Sequence, residues 1–119
     1  MTDLLNRSAV IITPTKKYVQ WVRSVDKEHA INASDKEIKA VTNVYLVEEV
    51  LTGVKKEIRD IMERNYLDIA IQEFSAWWLV EDDWPVLSSL EAFEQYFGWK
   101  LNEVVMNLCN ETMDFDQIG

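Results

Sequence analysis

The side chains that could do chemistry are few. His29 is the chain's one histidine and Cys109 its one cysteine. They lie far apart, and neither stands in a Cys-x-x-Cys or His-Glu-x-x-His spacing, so zinc has no ligand set. A nucleophile needs a base held beside it, and the sequence around these two supplies none. Cys109 is therefore expected as a small buried hydrophobe, and His29 as a surface residue of a polar loop. Carboxylates are plentiful, as in the pairs Glu48/Glu49 and Asp82/Asp83. Acid–base work would need one of a pair buried with a raised pKa. Neighbours on a strand point to opposite faces, so Glu48 and Glu49 should not converge. The run Glu81-Asp82-Asp83 offers oxygens to a hard cation, but the alternation and central glycine of a calcium loop are missing. Gly53, Gly98 and Gly119 are isolated, so there is no P-loop and no dinucleotide fingerprint. The expectation is no catalytic residue, no metal and no cofactor.

A second group of residues is suited to contact. Four of the five tryptophans fall between Trp77 and Trp99, among them Trp78 and Trp84. Trp77, Phe93 and Phe97 are expected in the core. Trp77 and Trp78 diverge by about 100° on a helix, so one of them should lie at the surface. Tryptophans are enriched at binding hot spots, which makes Trp78, Trp84, Glu81, Asp82 and Asp83 the candidate interaction surface.

Charge narrows the partner. The net charge is −9, and residues 81–119 carry nine acids against Lys100 alone. Phosphate recognition needs clustered Lys and Arg, so direct nucleic-acid binding is not expected. A basic protein is a possible partner. With 119 residues, 48% hydrophobic, the chain suits one domain with a real core. One cysteine suits a reducing compartment. Neither an apolar signal core nor a membrane-length run is present, and a cytoplasmic location is expected.

Local patterns then supply the elements. Ser8 to Thr13 is a β-branched run that predicts a strand, with Thr13 as cap and Pro14 as first residue of the next helix. Tyr18, Val19, Trp21, Val22 and Val25 form that helix's apolar stripe. Ser34-Asp35-Lys36-Glu37 reads as a capping box for a short turn, or else as surface loop. Val41 to Val47 predicts a second strand, with Val44 and Leu46 on one face and Val41, Tyr45 and Val47 on the other. Apolar on both faces, it should be central or covered by a partner. Thr52 to about Leu79 is helical, with a bend or break expected near Asn65, or else one end projecting into a partner. Ser88 to Glu91 matches a second capping box, and Gly98 is placed to stop the short helix that follows. Trp99 to Cys109 predicts a third strand, and residues 110–119 a frayed tail.

The order β-α-β-α-α-β predicts an α+β fold of two layers: a small three-stranded sheet with helices mainly on one face. The first strand-helix-strand unit would be parallel with a right-handed crossover if its strands are neighbours.

Three blocks resemble a family of small, acidic, uncharacterised bacterial cytoplasmic proteins. They are Asn6 to Pro14 with Tyr18 and Trp21; Tyr45-Leu46-Val47 with Glu49; and Trp77 through Trp84-Pro85 to Leu90-Glu91, Phe93 and Tyr96-Phe97, closing at Leu108. Where similar proteins often carry a proline after the tyrosine strand, this chain has Glu48-Glu49. The resemblance implies a compact α+β cytoplasmic domain and brings no activity with it. The leading functional expectation is a non-enzymatic interaction protein that pairs with itself as a homodimer. The alternatives are an acidic inhibitor of a basic partner, immunity- or antitoxin-like or a nucleic-acid mimic, and an enzyme with an unrecognised carboxylate site.

Overall fold

The computed structural model describes residues 3–109. The frayed tail expected over 110–119 lies outside them. Its centre is a three-stranded antiparallel sheet. Arg7–Pro14 (β2) lies between Asn43–Glu48 (β3) and Phe97–Asn102 (β4). A two-residue ladder joins Asp3–Leu4 (β1) to Met106–Asn107 (β5). The helices are Lys16–Val25 (α1), Asp35–Ala40 (α2), Lys55–Ser75 (α3) and Leu90–Tyr96 (α4). Their buried residues meet one face of the sheet, as the α+β reading requires.

The β-branched run forms the central strand, with Ser8, Val10 and Ile12 fully buried. The strand extends through Pro14, which pairs with Phe97 and has no N–H to offer the ladder. The helix start is therefore displaced from Thr13. Thr15 occupies the cap position, and its hydroxyl donates to the Gln95 carbonyl instead of capping. All five residues of the expected α1 stripe are buried.

β2 and β3 are neighbours but antiparallel, which corrects the expected parallel crossover. The cause is the doubling back of α1 and α2. Arg23, near the end of α1, binds Asp35 at the start of α2 and the carbonyls of Ile31 and Ala33. The chain thus returns to the end of the sheet that it left, and Asn43 enters beside Ile12. The capping box at α2 forms as expected, with both reciprocal Ser34–Glu37 bonds present.

β3 is an edge strand, not a central one. α3 runs uninterrupted through Asn65 over 21 residues, about 31 Å at about 1.5 Å per residue, so the expected break there is absent. It starts later and ends sooner than expected. The α4 cap is Ser89, which accepts from Ala92 N–H, and not Ser88. Glu91 is drawn aside to Arg59. Gly98 does not stop α4; it lies inside β4 opposite Thr13.

The third strand is split. Its ladder with β2 ends at Asn102, and the Glu103 carbonyl accepts a hydrogen bond from the Ser8 hydroxyl, which in turn accepts from Val50 N–H. Rings fill the core: Phe74 stands 4.7 Å from Trp21, 5.4 Å from Phe97 and 5.8 Å from Tyr18 by centroids. Phe93 and Phe97 are fully buried as expected, whereas Trp77 is only half-buried.

Candidate functional site

Three places could carry a function, and the first is a buried carboxylate. Glu73 lies on the apolar side of α3, between Ile69, Ala70 and Phe74, and is 3% exposed. Its Oε2 accepts from Asn43 Nδ2 at 2.8 Å and from the Tyr45 hydroxyl. Its backbone carbonyl accepts from the Tyr18 hydroxyl. Burial, then the adjacent Glu73, pushes both phenols far above their ordinary range. Both therefore stay protonated and act as donors. Sequence reasoning missed this residue, although its spacing of four from Ile69 and three from Ala70 places it on the apolar stripe. The other buried carboxylate among the described residues, Asp26, accepts from Ala30 and Ile31 N–H groups and lies 3.6 Å from Arg23.

The second place is the aromatic corner read from the sequence. The structure brings Trp78, Trp84 and Asp83 together. Trp78 Nε1 donates to Asp83 Oδ2 at 2.9 Å, Trp84 Nε1 to the Trp78 carbonyl at 2.8 Å, and Trp21 Nε1 to the Asp83 carbonyl at 2.9 Å. Both Trp78 and Trp84 are half-buried against the core. Glu81 and Asp82 sit with Asp83 on a short 3-10 turn, all three exposed. Of the other described acids of this third, Glu91 pairs with Arg59 and Glu94 accepts from Trp99 Nε1. Cys109 is exposed, which corrects its expected burial: it follows the short β5 pairing, beyond the packed sheet. His29 is exposed in the loop after α1, in the left-handed region at φ 53°.

The third place is the outer face of the sheet. Pairing puts Val44 beside Ile11 and Leu46 beside Ala9 on the side away from the helices. Val44 is 59% and Leu46 46% exposed, with Ile11 half-buried between the outer strands. On β4 the same face carries Gly98, Lys100 and Asn102. The apolar strip therefore runs along β3 and β2 only.

A groove of about 570 Å³ lies between α1 and α2, walled by Val19, Arg23, Asp35 and three lysines, Lys16, Lys36 and Lys39. Neither buried carboxylate lines it. No helix among the described residues is long and apolar enough to cross a membrane.

The fold and these surfaces define a small α+β protein with closed-off buried carboxylates and, on the outer face of its sheet, an exposed apolar strip along β3 and β2. Comparison of the chain with protein-family models, curated proteins and solved structures returned no match.

Proposed function

We propose that this chain is a non-enzymatic interaction protein that binds a second copy of itself through the outer face of its sheet. The carrying observation is the exposure of Val44 and Leu46 on an edge strand, next to Ile11. Apolar side chains standing together at an open sheet edge are an association site or a hazard. The Glu73 network supports the non-enzymatic half of the reading. Its Oε2 is occupied by two donors, and the carboxylate is almost wholly enclosed, so it is poorly placed to meet a substrate. The expected surface thus moves from Trp78 and Trp84, whose indole N–H groups are already bonded within the chain, to the sheet. A cytoplasmic, reducing setting suits the single exposed thiol of Cys109, which would otherwise be free to cross-link copies.

The test is sedimentation equilibrium over a concentration series, on the wild type and on Leu46→Lys. A dimer that Leu46→Lys converts to monomer supports the reading. A wild type that stays monomeric throughout overturns it.

A further inference from the structure

We propose that the groove between α1 and α2 is a binding site for a small phosphorylated anion, held by Lys16, Lys36 and Lys39. The site is separate from the outer sheet face and does not depend on self-association.

The first ground is positive charge that the chain itself leaves uncompensated. Lys16, Val19 and Arg23 follow one another at spacings of three and four on one face of α1, and Asp35, Lys36 and Lys39 of α2 form the facing wall. The nearby acids are spent elsewhere. Asp35 stands four residues before Lys39, yet it binds Arg23 at 2.8 Å. Glu37 does not line the groove, and its carboxylate accepts from the Ser34 N–H. Asp26 is buried beside Arg23 and does not line it either. Lys16, Lys36 and Lys39 enter no ion pair among the described residues. Even with Asp26 and Glu37 counted, four bases stand against three acids here, in a chain whose net charge is −9. Ammonium groups around one groove repel each other, and an anion between them reverses the sign of that interaction. The acids of the rest of the chain are screened beyond about 10 Å at 0.1 M salt.

The second ground is the chemistry of the donors. A planar carboxylate is matched by the fork of an arginine, whereas lysine offers a compact charge that suits a phosphoryl group. The one arginine of the groove is already taken by Asp35 and by the carbonyls of Ile31 and Ala33. Only lysines are left to bind.

The third ground is size. The groove holds about 570 Å³, within the range of small-molecule sites and too large for phosphate alone. Val19, itself buried, adds an apolar contact to the wall. The ligand is therefore a phosphate ester or a short polyphosphate.

The experiment titrates the full-length chain, labelled with nitrogen-15, with pyrophosphate, glycerol 3-phosphate and citrate in turn, and follows the amide shifts. The expected result is saturable shifts centred on α1 and α2 with a phosphorylated probe, and clearly weaker binding of citrate. Pyrophosphate ahead of glycerol 3-phosphate assigns a polyphosphate, and the reverse order a phosphate ester. Lys36→Gln should weaken binding, and Lys16→Gln with Lys36→Gln and Lys39→Gln should abolish it. All three lysines are exposed, so the spectrum should otherwise keep its native dispersion. Lys55→Gln with Lys100→Gln, which removes exposed charge outside the groove, should leave binding unchanged. The proposal is overturned if no probe saturates, if the shifts lie elsewhere, if citrate binds as well as the phosphorylated probes, or if the Lys55/Lys100 control loses as much as the groove variants.

Discussion

The Tyr45 hydroxyl on the edge strand donates to the Glu73 carboxylate in the last turn of α3, which locks β3 to the helix layer. Asn43, two residues earlier on the same face of β3, donates to the same oxygen. Glu73 is buried, so a lost donor is not replaced by water. Tyr45→Phe should therefore destabilise the fold by about 1–3 kcal/mol, the usual cost of leaving a buried acceptor short of a partner. Urea unfolding at fixed protein concentration measures this. A Phe variant as stable as the wild type would mean that Asn43 alone satisfies the carboxylate.

Gly98 and Thr13 oppose each other across β4 and β2, and a Cβ on Gly98 would sit 2.7 Å from Thr13 Oγ1. Glycine inside a strand ordinarily costs about 0.5–1 kcal/mol relative to alanine. Here the close hydroxyl should reverse that sign. Gly98→Ala alone is expected to lower stability, while Gly98→Ala in a Thr13→Ala background should raise it. The coupling from the double-mutant cycle should be about 1–2 kcal/mol, within the range for residues in contact. Additive effects would show that Thr13 simply rotates away.

What could be read from the residues was local. The run from Ser8 to Thr13, the stripe from Tyr18 to Val25 and the Ser34–Glu37 box each carry their signal within a few positions, and all three form. The misses share a different cause. The break after Asn102 depends on the Ser8 hydroxyl, 95 positions away in sequence. The reversal of β3 depends on Arg23 fastening the α1–α2 connection. Ser88 and Ser89 are equivalent as caps until the position of Arg59 decides where Glu91 goes. For the candidate site, the two apolar faces of β3 were legible, and with them the need for a cover. That β3 lies at the edge was not, because strand order is a long-range property. Glu73 was lost among the carboxylates because a charged residue is ordinarily solvated.

Glu57 organises the lead-in to α3. Its carboxylate accepts from the N–H groups of Leu51, Thr52 and Gly53 and from the Thr52 hydroxyl. These bonds, the Leu51 N–H first, hold its pKa at about 2 against an ordinary 4.5. A depressed folded-state pKa adds stability that is complete above the unfolded value and disappears as pH falls through the folded one. The contribution should therefore be whole above about pH 5 and fade toward pH 2. Glu57→Gln should unfold at lower urea than the wild type at neutral pH, with the gap closing at acid pH. A gap that does not change between neutral and acid pH would show that the ionised form is not what holds residues 51–53.

Asp83 joins three tryptophans at one corner: its carboxylate receives Trp78, its carbonyl receives Trp21, and Trp84 bonds back to the Trp78 carbonyl. Two of these three bonds end on backbone oxygens and survive any side-chain change. Asp83→Ala should therefore release only the Trp78 indole and cost about 1 kcal/mol, the net worth of one hydrogen bond. If the corner is structural, self-association measured by sedimentation should be unchanged in the same variant, because the sheet face lies elsewhere. If instead Asp83→Ala weakens the dimer as much as Leu46→Lys does, the contact runs through Trp78 and Trp84, and the outer sheet face loses its claim.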